Sequence, residues 1–100
     1  MARIEVVERA VGTYDVTVSG GGRTTRHTVS VPAGLADRLG CGQMTDVELV
    51  ERSFEFLLAR ESATSILSSF RLDQIGEYFP EYPTVIGRSP APGGPGQAAP

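Results

Sequence analysis

Few residues of this 100-residue chain are of a type that does chemistry. His27 is the only histidine and Cys41 the only cysteine. A cysteine becomes a nucleophile when a base or a positive field lowers its pKa, and nothing in the sequence sets His27 beside Cys41. Cys41 lies between Gly40 and Gly42, in a turn open to solvent, and reads as an inert thiol. His27 falls on the dry side of an alternating stretch and reads as a boundary residue rather than a general base.

Glu48, Glu51 and Glu55 share one face of a helical stretch. A metal site needs several histidine, cysteine or carboxylate ligands at regular spacing, and that pattern is missing. Glu48 and Arg52 instead form a favourable i,i+4 pair on a solvated face. Gly20-Gly21-Gly22 has the composition of a phosphate loop but joins two strands, whereas an anion-holding loop leads from a strand into a helix. Ser62, Thr64, Ser65, Ser68 and Ser69 could accept a phosphate, although capping and exposure explain most of them. The expectation is a chain with no catalytic residue, no metal ligand and no cofactor.

The residues suited to contact rather than reaction are aromatic. Phe70, Tyr78, Phe79 and Tyr82 are four of the seven aromatic residues, gathered just before a proline- and glycine-rich tail. Aromatic side chains carry the largest apolar area, so this cluster either closes a core or docks on a partner.

The elements that position them follow from periodicity. Tyr14, Val16 and Val18 alternate with polar neighbours, and after the glycines His27, Val29 and Val31 do the same, which predicts a β-hairpin. Ile4 to Glu8 reads as a third strand, with the adjacent Val6 and Val7 suggesting a bulge. Pro32 opens a short helix over Ala33 to Leu39, closed by Gly40. Thr45-Asp46-Val47-Glu48 is a capping box that starts a helix running to about Arg60.

On that helix Val47, Val50, Phe54, Leu57 and Leu58 form one stripe, and Leu49 and Phe56 project off it. The apolar arc is wider than one sheet face covers, so a second surface must meet Leu49 and Phe56. Short helical turns follow, from Ser62 through Ile66, Leu67 and Phe70, and from Asp73 through Ile75, Tyr78 and Phe79 to Pro80. Glu81 to Ile86 then reads as extended. The fold class is α+β: a three-stranded antiparallel meander packed by one main helix and short C-terminal helices. Residues 1–87 form the single domain and 88–100 a disordered Pro/Gly-rich tail.

Within this scheme Phe70, Ile75 and Phe79 are expected to pack on the main helix, with Tyr82 facing outward. Leu49, Phe56, Tyr78 and Tyr82 are the candidate partner-binding residues.

Charge and composition narrow the setting. The net charge is -3, and residues 32–87 hold four arginines against nine acids. Such a surface does not suit general phosphate binding. The single cysteine, the absence of an apolar leader and the lack of a membrane-length apolar run lead to an expectation of a cytoplasmic protein. Lysine and asparagine are absent, which suits a GC-rich bacterial genome.

From Leu57 to Tyr82 the chain resembles a set of small uncharacterised bacterial proteins. The shared features are an N-terminal hairpin ending at Val29 to Pro32, an S-I-L-x-x-F stretch (Ser65, Ile66, Leu67, Phe70) and the run Tyr78 to Tyr82. That resemblance implies a fold type and no activity. A second, weaker likeness is to ribbon-helix-helix regulators, carried by HTVSVPAGLADRL and TDVELVERSFEFLL. It implies a dimer reading the DNA major groove through Arg26, Thr28 and Ser30, with Thr24 beside them. Against it stand the in-chain hairpin, the short first helix and the single arginine on the reading face. The reading preferred at this level is a small non-catalytic interaction or accessory domain that self-associates or binds a protein partner, with a DNA-binding regulator or antitoxin as the alternative.

Overall fold

The computed structural model describes residues 3–88, and the tail beyond Arg88 lies outside them. Strands β1 (Arg3–Ala10), β2 (Thr13–Gly20) and β3 (Arg23–Ser30) form the expected antiparallel meander. Gly21 and Gly22 alone connect β2 to β3, both at positive φ (61° and 78°). This is the primed two-residue turn whose twist matches that of the strands, and glycine takes the positive φ it needs at both positions without strain. The bulge falls between Glu8 and Ala10, later than the Val6-Val7 pair that suggested it.

The sheet has four strands, a correction to the three-stranded meander. β4 (Ser69–Arg71) pairs parallel to β3, with Thr28 opposite Ser69 and Ser30 opposite Arg71. A three-residue strand shows no alternation, so the sequence reads there as a helical turn. The chain instead makes one 3-10 turn at Ala63–Ser65 and enters β4 extended.

Between β3 and β4 lie α1 (Leu35–Arg38) and α2 (Asp46–Leu58). The first is shorter than Ala33 to Leu39 because Gly34 takes φ 77°, outside the right-handed helical region. The second starts as expected: the Glu48 amide donates to Thr45 Oγ1 (3.1 Å) and the Thr45 amide to Glu48 Oε1 (2.9 Å). Its buried face, including Val50, Phe54 and Leu57, lies over the apolar face of the sheet formed by Val16, Val18 and Val29. Phe54 sits at the centre, 5.3 Å from the His27 ring and 6.0 Å from Phe70.

After β4 a 3-10 turn (Leu72–Gln74) leads into α3 (Ile75–Tyr78) and then α4 (Tyr82–Arg88). The extended stretch expected from Glu81 to Ile86 is therefore helical. Pro80 stops α3, but Pro83 stands in the first turn of α4, where a missing N–H removes no helical hydrogen bond. The Val85 amide donates to Glu81 O, closing that turn. α4 lies close against the end of α1, since a Cβ added at Gly87 would come 2.7 Å from Leu39 O.

Candidate functional site

α4 supplies the second surface that the wide apolar arc of α2 requires. Tyr82, expected to face outward, is only 1% exposed, and its ring meets Phe56 edge-on at 5.3 Å. Phe79 meets the same ring edge-on at 5.7 Å. Ser53 Oγ donates to Leu49 O (2.7 Å), leaving its lone pairs to accept the Tyr82 hydroxyl at 2.7 Å. The reversal has a local cause: the helical turn at Pro83 rotates Tyr82 back beneath the chain, which an extended segment would not do.

Leu49, Phe56 and Tyr82 are thus all buried, and of the four candidate contact residues only Tyr78 lies on the surface. Ile75 is buried as expected, whereas Phe70 and Phe79 are partly buried and pack against the core. Arg60 fastens the start of α4 to the end of α2. Its guanidinium carbon stands 3.6 Å above the Phe56 ring centre while Nε donates to Glu81 Oε2 (3.1 Å). Glu81 is held below the ordinary carboxylate range, first by its own backbone N–H and then by Arg60.

The burial of Tyr82 has a pH signature. Desolvation pushes its phenol up to about 12 from the usual 10.0, partly offset by Ser53. The ionised form is disfavoured in the fold, so this contribution is complete below pH 10 and is lost as pH rises through 12. About two pKa units correspond to about 2–3 kcal/mol. Denaturant midpoints should fall between about pH 9 and about pH 12, and Tyr82→Phe should flatten the fall. Tyr14, raised by burial and by Asp46, leaves a residual slope in that variant.

The same C-terminal segment leaves a groove on its outer side. The end of α2, the loop entering β4, and α3 enclose about 290 Å³, lined by Leu57, Ile66, Leu67, Phe70, Ile75 and Phe79, with Glu61, Ser65 and Gln74 as polar members. Tyr78 completes the lining and is 65% exposed, and Leu67 is 52% exposed. These are large apolar side chains left on the surface beside a concave apolar recess.

His27 positions one wall of that groove. It is buried; Nδ1 donates to Leu67 O (2.8 Å), and Nε2 stands 3.0 Å from Thr25 Oγ1. The carbonyl can only accept, which fixes a proton on Nδ1. The Thr28 amide donates to Ser68 O (2.8 Å) beside it. His27 therefore pins the chain where it turns into β4, a role that lay outside any reading based on strand alternation.

The remaining candidates separate in space. Cys41 is buried rather than open in its turn, and desolvation followed by Asp37 raises its thiol pKa, which lowers the thiolate fraction. The hydroxyls of Ser62, Thr64 and Ser65 engage one another at 3.1–3.2 Å. Glu55 pairs with Arg52. Among the described residues no group of three or more potential metal ligands converges, and no helix is long and apolar enough to cross a membrane.

Arg26 and Ser30 are exposed on the open face of the sheet, with Thr28 half-buried between them. Yet β3 is an interior strand, paired with β2 on one edge and with β4 across Thr28 to Ser30 on the other. It is not the free strand that a ribbon-helix-helix dimer pairs between subunits. Comparison with known proteins returns no matching family model, no matching curated protein and no matching solved structure, so the resemblances read from the sequence stand on their own residues.

Proposed function

We propose that this chain is a small non-catalytic interaction domain that holds a short apolar segment of a partner protein in the groove between α2, the β4 entry loop and α3. One observation carries the reading: Tyr78 and Leu67 stand exposed on a recess whose other walls are aliphatic and aromatic. Exposed apolar surface of this kind, rimmed by polar groups, is what protein-binding sites present.

The charge around the groove specifies the occupant further. Glu61 lines it and Glu77 is exposed next to Tyr78, while the nearby arginines are engaged: Arg60 with Glu81, and Arg71 with Asp73. An acidic rim favours a segment carrying Lys or Arg beside its apolar residues, through steering and complementarity. At about 290 Å³ the recess admits one or two side chains, near the lower limit of ligand pockets, so affinities in the micromolar range are expected.

Selection from a random peptide library displayed on phage tests this. The enriched peptides should combine an aliphatic or aromatic pair with a basic residue and should bind more weakly as salt rises. Failure to enrich any peptide over an unrelated protein, or enrichment of acidic ones, contradicts the reading.

A further inference from the structure

A different surface, at the opposite edge of the sheet from β4, carries a second inference that does not rest on the groove. Among the described residues β1 is the edge strand of the order β1-β2-β3-β4, eight residues long, with one row of backbone groups left unpaired by the sheet. Ile4 and Val6 lie on the helix side, packed against the core. Glu5, Val7 and Arg9 lie on the open side, Val7 being 63% exposed and Arg9 reaching Asp15 Oδ1 at 3.6 Å.

We propose that β1 pairs antiparallel with β1 of a second copy, centred on Val7, joining two four-stranded sheets into one. Directly opposite residues in an antiparallel ladder face the same side. A twofold dimer that keeps both helical layers on one side must therefore centre on a residue, not between two. Centring on Glu5 or on Glu8 sets a carboxylate against its own copy, and centring on Val6 sets Arg3 against Arg9. Centring on Val7 sets Glu5 against Arg9 twice and Val7 against Val7, with no like charges opposed. Opposite-charge and apolar cross-strand pairs are the stabilising units of a sheet, and like charges directly opposite are destabilising. Exposed edges are normally blunted by charges that repel a copy. Centring on Ile4 also opposes Arg3 to Glu5, but it joins only residues 3–5 of β1, whereas the Val7 register joins residues 5–9, up to the bulge, and so makes the longer ladder.

Oxidative cross-linking and sedimentation equilibrium together test the register. Val7→Cys should form a covalent dimer readily. Glu5→Cys should not, because its copy would lie four residues away along the strand, beyond the ~7 Å limit for a disulfide. The unsubstituted chain, with Cys41 buried, serves as the background. Glu5→Arg and Arg9→Glu should each lower self-association about tenfold or more, while an equimolar mixture of the two should associate at least as well as the original, since every cross-strand pair is then attractive. Circular dichroism confirms that each variant is folded, and the groove substitution Tyr78→Ser should leave self-association unchanged. A chain that stays monomeric up to about 1 mM, at the weak limit of specific association, overturns the proposal. So does cross-linking at Glu5→Cys equal to that at Val7→Cys, or a mixture no better than its components.

Discussion

Tyr82→Ala is expected to remove a large share of the stability of the domain. Truncating a fully buried aromatic side chain costs about 3–5 kcal/mol, through lost transfer energy and the cavity left behind. A domain of this size has only about 5–15 kcal/mol in total. The ring also covers Phe56 together with Phe79 and Arg60, and its hydroxyl satisfies Ser53 between α2 and α4. Losing it loosens α4 and removes one of the faces that cover Phe56. Urea unfolding followed by circular dichroism should show either a midpoint shift of that size or a chain already unfolded in buffer. Tyr82→Phe separates the two contributions: it retains the packing, loses one hydrogen bond, and should cost only about 1 kcal/mol because Ser53 still donates to Leu49 O. Equal losses in the two variants would mean that the ring is not packed as described.

The second large effect concerns binding and leaves stability alone. Leu67→Ser combined with Tyr78→Ser removes two exposed apolar side chains from the groove, whereas the core beneath depends on Ile66, Leu72 and Ile75. Affinity for a groove-selected peptide should fall at least about tenfold, equivalent to about 1.4 kcal/mol, as expected when anchoring contacts are truncated. Thermal midpoints should move by no more than a few degrees, because surface substitutions are usually worth about 0.5 kcal/mol or less. Isothermal titration of both proteins with one peptide measures the first quantity, and a thermal scan the second. A double variant that binds as well as the original would place the contact elsewhere.

How much of this was legible in the sequence depended on the range of the interactions. The hairpin and the capping box are local devices, in which Gly21, Gly22, Thr45 and Glu48 act on neighbours a few residues away, and both stand where the sequence set them. The over-wide arc of α2 correctly required a cover for Leu49 and Phe56. The identity of that cover was hidden, because the direction of Tyr82 is decided by whether Pro83 opens a helix or continues a strand, and a proline suits either. β4 was hidden for a different reason. Its three residues are held by backbone pairing to β3 and by the His27 bond to Leu67 O, neither of which imposes a side-chain pattern. The groove follows from both, since Tyr78 faces out only once Tyr82 has turned in, and Leu67 is exposed only once the chain leaves its 3-10 turn for β4.

That division of the aromatic segment, with Tyr82 closing the core and Tyr78 offering a docking surface, is the centre of the proposed function. Its most direct test is a map of backbone amide shifts as a library-selected basic apolar peptide is titrated into isotopically labelled protein. The largest changes should fall on Glu61, Ile66, Leu67, Phe70 and Tyr78, with Thr17, Thr24 and Arg26 on the open sheet face unmoved. Changes centred on that sheet face, with the residues around Tyr78 silent, would contradict it.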